Sequence, residues 1–274
     1  MSAPEQYPAS LEMPASLRSL QNAGIDLLPV RHCEAEHNRR PGLLDGHEDS
    51  ELTDRGRRES VQTGAYFGHM IVDLVITSEK SRAVKTYEYG ILPFLPNVPH
   101  TRDAGLNEQD YGWASGMEKK AVYTEDMDRM LRREGYTGRL VPEYARLEEM
   151  PEDWQDRPAE TGFEVADRFA LGVLRQAAKV RRPEGRNLVV AAVTHSATMK
   201  NVAGLAYGIP RHEMFGLGSR YKPANGAVWE LRPGDTKPRQ LFKPRLATPA
   251  TAPIPRSDRD PARNSDRSRA TVYA

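Results

Sequence analysis

The sequence predicts an α/β protein, a three-layer α/β/α sandwich with a mostly parallel central sheet. Four short runs are apolar without alternation, the pattern of strands covered on both faces, and helical stretches separate them. A chain of 274 residues suits one such domain with extensions at its ends.

Residues 1–24 contain neither a basic start nor the continuous apolar run of a secretory signal, and are expected as a flexible extension. The folded domain is expected over 25–243, opening with the strand "IDLLPV" at 25–30. Thr53 and Asp54 can cap and complement a helix through about Gly68, with Val61 and Ala65 on one face. "VDLVIT" at 72–77 is the second strand, and a helix follows Ser81 or Arg82. Residues 105–160 are polar and rich in Tyr, Trp, Met and Glu, and read as a partly helical insertion over one end of the sheet. A long helix includes "VADRFALGVLRQAAKV", "NLVVAAVT" at 187–194 is a strand, and a helix follows His195 until Gly208-Ile209-Pro210 stops it. "GAVWEL" at 226–231 is the last strand. Over 244–274 Pro, Ser, Arg and Asp replace apolar periodicity, the composition of a disordered tail.

Charge is nearly balanced, 39 Lys and Arg against 38 Asp and Glu, so no overall field draws the chain to nucleic acid or an acidic membrane. No run approaches the ~20 apolar residues of a membrane span, and a cytoplasmic protein is expected. One cysteine, Cys33, excludes an internal disulfide and a Cys-based zinc cluster. A homodimer is only the base-rate expectation.

Three strand-like runs end in chemistry-bearing residues: Arg31-His32, Ser78 followed by Arg82, and His195-Ser196. Ligands of an open α/β sheet bind beyond the carboxyl ends of its strands, so parallel strands would gather these endings. Alone, each histidine reads as an ordinary packed or surface residue and Arg82 as a solvated helix residue. Together they form a phosphoryl-transfer set. The guanidinium forks of Arg31 and Arg82 can pair with phosphate oxygens, and a neutral imidazole between cations keeps a lone pair for attack on phosphorus. Such a site requires no metal or other cofactor.

The same stretch admits a rival, since His32-Cys33, five residues and Arg39 outline a cysteine phosphatase loop. That chemistry needs a low-pKa thiol and inward-pointing backbone amides. No glycine lies between Cys33 and Arg39, and two carboxylates do.

"RHCEAEHN" resembles the RHGExxxN signature of the histidine phosphatase superfamily, the phosphoglycerate mutase-like proteins, with Arg31, His32, Glu34 and Asn38 in register. "LTDRGRRES", "SEKSRAVKT", "LNEQDYG" and "VTHSATMKNV" are similar to further family blocks, in family order, over about 25–202. The resemblance implies that His32 is the nucleophile and becomes phosphohistidine. Arg31, Arg82, His195 and Ser196 would bind the phosphoryl group, with Asn38 at the phosphate site supporting the pocket. Glu108 would be the general acid and then the base.

The family's glycines after the two histidines are Cys33 and Ser196 here, and a side chain there would crowd any backbone amide that must approach phosphate. The segment before the long helix, "AETGFEV" at 159–165, has no Glu-Ser pair in register. "EQDYGWASG" is closer to phosphatase-like members than to the mutase pattern, so the expected activity is metal-independent phosphomonoester hydrolysis of a small phosphorylated metabolite. A phosphoglycerate-type mutase and a noncatalytic phosphate-binding scaffold are the alternatives. Tyr111, Trp113, Tyr123 and Tyr136 are candidates to line a leaving-group pocket, and Arg139, Arg157, Arg211, Arg220 or Lys222 to bind a second anion.

Overall fold

The computed structural model describes residues 13–39, 42–44, 48–112, 115, 116, 118, 160–209, 213, 214 and 219–246. Most of the expected insertion, including Trp113, Tyr123, Tyr136, Arg139 and Arg157, lies outside the described residues, as do Arg211 and residues 247–274. A six-stranded sheet runs β3-β2-β4-β1-β5-β6, with β1 at Ile25–Arg31, β2 at Leu74–Thr77, β3 at His100–Arg102, β4 at Leu188–Thr194, β5 at Val228–Glu230 and β6 at Arg239–Phe242. β1, β2, β3 and β4 are parallel, and β5 is antiparallel to both its neighbours.

Apolar side chains of the parallel strands divide between two cores, one on each sheet face. Ile25, Leu27, Leu74, Ile76, Leu188 and Val190 enter one; Leu28, Val30, Val75, Ala191 and Val193 enter the other. This is the three-layer arrangement, and it explains why the strands read as continuous apolar runs. The first core is closed by α1 (Ala15–Gln21), α5 (Gly162–Ala177) and α6 (Ser196–Tyr207). The second is closed by α2 (Asp54–Phe67) and by α3 (Ser81–Thr86), which continues through a π-helical turn at Tyr87–Ile91 into the short α4 (Leu92–Phe94). No described helix is long and apolar enough to cross a membrane.

Where the sequence reads as a flexible extension over 1–24, α1 forms and buries Leu17 and Leu20 against α5 and α6. α2 also corrects its expectation. Val61 is 50% exposed and Ala65 half-buried, while Gly56, Glu59, Ser60, Thr63, Gly64 and Phe67 face inward. Close approach of backbones is the reason: a Cβ on Gly56 would overlap the Glu34 carbonyl, and one on Gly64 the Gly90 carbonyl. Ser60 and Thr63 satisfy their hydroxyls by donating to the carbonyls of Gly56 and Glu59 one turn back.

Pro29 lies within β1 on the edge that faces β5, since Arg31 N–H donates to Ala227 O and Leu231 N–H donates to Leu27 O. It has no N–H to offer that ladder. Pairing there shrinks to Val30↔Val228 and an isolated bridge Leu27↔Leu231, whereas β1 pairs with β4 along all seven residues.

Gly64→Ala tests the α2 contact. Helix propensity alone predicts a gain of about 1 kcal/mol, but overlap with Gly90 backbone should instead cost about 1–3 kcal/mol in denaturant unfolding. Val61→Ala, on the exposed face, should stay within about 0.5 kcal/mol of the parent.

Candidate active site

The parallel ladder continues past the strand ends, with His32 N–H donating to Thr194 O and Ser78 N–H to Val193 O. Arg31-His32, Ser78 and His195 thereby meet at the carboxyl ends of the parallel strands, as the strand endings predict. The His32 and His195 ring centroids are 5.1 Å apart, and both rings are buried.

His32 Nδ1 lies 2.8 Å from the Cys33 carbonyl oxygen, which can only accept, so Nδ1 carries the proton and Nε2 the lone pair. Burial holds the imidazole well below its ordinary pKa of 6.5, and the charges of Arg82 and Arg31 push in the same direction. His195 has the opposite tautomer. Arg82 Nε donates to its Nδ1 at 3.2 Å, leaving the proton on Nε2, which donates to Ser78 Oγ at 2.8 Å. Burial and Arg82 hold His195 well below the ordinary value too. Since Ser78 Oγ receives this bond, the imidazole does not activate the serine as a nucleophile.

The two arginines differ. Arg82, 1% exposed, also donates from Nη1 to Glu48 O at 2.6 Å, with Asp49 Oδ1 3.9 Å away. Arg31 donates from Nη1 to Pro223 O at 2.8 Å, while its buried Nε has no partner. Buried donors are ordinarily satisfied, and this N–H is available to a further acceptor. Burial lowers the Arg31 pKa, opposed by the charges of Glu108 and Glu59.

Glu108 sits at the start of α6. Its Oε1 accepts from Thr198 N–H at 3.1 Å and Thr198 Oγ1 at 3.2 Å, and its Oε2 from Ala197 N–H at 3.3 Å. A carboxylate at a helix N-terminus matches the positive end of the dipole. Asn38 braces loops: its Oδ1 accepts from Ala35 N–H and Asn225 Nδ2, and its Nδ2 donates to His37 Nε2. Ser196 is half-buried in the first turn of α6.

Residues 27–242 match the sequence profile of the histidine phosphatase superfamily, branch 1. The chain belongs to that superfamily. The 2,3-bisphosphoglycerate-dependent phosphoglycerate mutase of Bradyrhizobium sp. is 36% identical over 114 residues, covering 39% of this chain and 54% of the relative. Its counterpart from Xanthobacter autotrophicus is 35% identical over 114 residues, with the same shares of 39% and 54%. The chain thus spans about half the length of the curated relatives it matches. Among solved structures it is similar to mycobacterial glucosyl-3-phosphoglycerate phosphatase, at 19% identity and a TM-score of 0.57, over 80% of this chain and 97% of that one. Bacillus stearothermophilus YhfR is 20% identical with a TM-score of 0.56, over 81% of this chain and 98% of its own. At these identities the structural likeness is one of fold.

In this member of the superfamily the cysteine loop is not built. Cys33 is fully buried, and burial pushes its thiol up to about 12, against the requirement for a thiolate. Arg39 points outward and pairs with Glu36 at 3.2 Å. The segment before α5, without its Glu-Ser pair, performs locally through Glu160-Thr161: Thr161 caps α5 in a capping box with Glu164. Two residues near His32 escaped the sequence reading. The His37 ring lies 5.3 Å from His32 and adds to the lowering of its pKa. Buried Glu59 accepts from Glu34 N–H at 2.9 Å and fixes the loop after the nucleophile candidate. A histidine five residues from another carries no periodic signal. Glu59 lies inside the block "LTDRGRRES", where nothing in the sequence singles out its side chain. Of the second-anion candidates among the described residues, Arg220 pairs with Glu213 at 3.6 Å and Lys222 is exposed.

The two lowered imidazoles fix a sign for pH dependence. Below the ordinary value of 6.5 the unfolded chain takes up protons at His32 and His195 that the folded chain refuses, so these groups weaken folding as pH falls and contribute nothing above that window. In denaturant titrations from about pH 8 to about pH 5, His195→Gln should remove about one proton of slope, or about 1.4 kcal/mol per pH unit. An unchanged slope would contradict the neutral, buried His195.

Proposed function

We propose that this chain is a phosphomonoester hydrolase that acts on a small phosphorylated metabolite through a phosphohistidine at His32, without a metal. One observation carries the reading: the buried His32 imidazole is kept neutral with its lone pair on Nε2, and the buried Nε–H of Arg31, the preceding residue, has no acceptor. A nucleophile and an anion donor adjoin in a buried site, where both count for more than in water.

In the first step His32 Nε2 forms a bond to phosphorus as the bond from phosphorus to the leaving oxygen breaks. Protonated Glu108 gives its proton to that oxygen. Arg31 binds the phosphoryl oxygens, and His195 turns its Nε2–H from Ser78 to one of them. Arg82 keeps that tautomer by donating to His195 Nδ1 and contributes charge. In the second step Glu108 takes a proton from water, the water oxygen bonds to phosphorus, and the bond to His32 breaks to release phosphate. The imidazole ends neutral, ready for the next cycle.

A mutase is the second reading, favoured by the names of the partly matching sequence relatives. It shares the phosphohistidine and differs in the acceptor, a second substrate hydroxyl in place of water. Steady phosphate release from a panel of phosphorylated metabolites, exceeding isomerisation of 3-phosphoglycerate primed with 2,3-bisphosphoglycerate, supports the hydrolase. The reverse ratio supports the mutase.

His32→Ala should lower turnover of p-nitrophenyl phosphate by at least about 10³-fold, a barrier increase of about 4 kcal/mol. Cys33→Ser should retain turnover, and label trapped from substrate should survive alkaline quenching and be lost in acid, as a phosphoramidate is. Acid-stable label would sink the assignment. Glu108→Gln should slow an alkyl phosphate, whose leaving oxygen needs a proton, at least about 10-fold more than p-nitrophenyl phosphate. Equal slowing would remove Glu108 from the acid role.

A further inference from the structure

The Arg168 guanidinium on α5 has an acceptor for each of its five N–H groups. Nε donates to Glu160 Oε1 at 2.6 Å and Nη2 to Glu160 Oε2 at 2.8 Å, a two-pronged fork. The remaining bonds end on the backbone that carries Glu108. Nη1 donates to the carbonyls of Gly105 at 2.7 Å and Asn107 at 2.9 Å, and Nη2 to that of Glu108 at 3.1 Å. The carbonyl left between them, Leu106 O, accepts from Thr194 Oγ1 at 2.7 Å, at the end of β4.

Glu160 grips the far side of the same loop. Its N–H donates to Asp110 O at 2.7 Å, its Oε2 accepts from Asp110 N–H at 2.8 Å, and its carbonyl accepts from Gln109 Nε2 at 2.7 Å. Gln109 Oε1 in turn accepts from Asn201 Nδ2 on α6. The loop is thus tied to two helices whose inward faces are locked in the core, by Phe169 and Val173 on α5 and Met199 and Val202 on α6. A local staple would need one or two bonds. This one leaves no carbonyl from Gly105 to Glu108 free to shift.

We propose that Arg168, with Glu160, is a positioning residue of the reaction: it holds the backbone of Glu108 so that the carboxyl group reaches the leaving oxygen above His32. The proposal rests on the acid role given to Glu108 above. Arg168 spends its five N–H groups on Glu160 and the loop, so it acts only through that loop. A lysine cannot reproduce the fork and the three carbonyl contacts at once.

The test uses the full chain with Arg168→Gln, Arg168→Lys and Glu160→Gln, assayed on p-nitrophenyl phosphate and on an alkyl phosphate. Displacing an acid by about 1 Å can cost about 10²-fold. We expect kcat with the alkyl phosphate to fall about 10- to 100-fold in Arg168→Gln and less in Arg168→Lys, with about 3-fold loss or less on p-nitrophenyl phosphate. Added to Glu108→Gln, Arg168→Gln should cause no further loss with the alkyl phosphate. Equal loss on both substrates, or full additivity with Glu108→Gln, would overturn the proposal, since a merely structural residue gives those results. Glu160→Gln keeps most hydrogen-bonding atoms and should show a milder form of the same disparity, which decides the matter if Arg168→Gln does not fold. If Glu108→Gln shows the disparity and the Arg168 and Glu160 variants do not, this proposal alone fails. If Glu108→Gln shows none, the acid reading fails first.

Discussion

The hydrogen bond from His32 Nδ1–H to the Cys33 carbonyl decides which nitrogen keeps the lone pair, and much of the surrounding structure serves to hold that carbonyl still. Cys33 N–H donates to Thr86 Oγ1 on α3, and Glu34 N–H donates to Glu59 on α2. Thr53, the cap of α2, receives Gly56 N–H on its hydroxyl and donates its own N–H to Glu34 O. The inward face of α2 is therefore small and polar because it is built around a loop as well as against a core. Gly56 lets the helix start within reach of Glu34, and Gly64 lets it lie on the π-helical turn at Gly90. An apolar stripe there would have kept the helix at ordinary packing distance and left the loop amides unpaired.

Electrostatics at the site runs in one direction. Burial and neighbouring guanidinium groups both disfavour imidazolium, so neither histidine needs a fine balance to stay neutral. The guanidinium charges are themselves offset unevenly. Arg82 has Glu48 O and Asp49 beside it, whereas Arg31 retains a buried N–H without an acceptor. A polar group in that condition costs about 1–3 kcal/mol.

Strands buried on both faces were the most legible part of the fold, because apolar runs without alternation leave few other readings; β1 and β4 fall within a residue of their expected bounds. β3 and β6 were not read. His100–Arg102 and Arg239–Phe242 are edge strands of three and four residues, the first polar throughout and the second with only Leu241 and Phe242 apolar, too short to be told from loop until they pair. Helix α1 is seven residues long and takes its stability from Leu17 and Leu20 meeting α5 and α6, a tertiary effect with little local signal. Within the site, Arg31, His32 and His195 were legible from strand ends, since parallel pairing converts position along a strand into proximity. Glu108 follows no strand run and was reached only by family resemblance. Arg168 could not be found by either route, because it binds carbonyl oxygens, which every residue possesses.

Cys33 stands where the resemblance expects glycine, and its packing shows how the fold accommodates a side chain there. The thiol lies behind the loop among the hydroxyls of Ser60, Thr63 and Thr86, which belong to the α2 and α3 walls. Room for it comes from Gly226: at φ +69° this residue has the conformation that favours glycine, and a Cβ built on it would stand 3.1 Å from Cys33 Sγ and 2.7 Å from Thr63 Oγ1. Gly226 N–H also donates to Arg31 O, so the same residue helps to position the arginine next to His32. The side chain added at 33 is thus matched by the one absent at 226. Its bulk falls on the α2 side of the loop, while its carbonyl still accepts from His32 Nδ1–H.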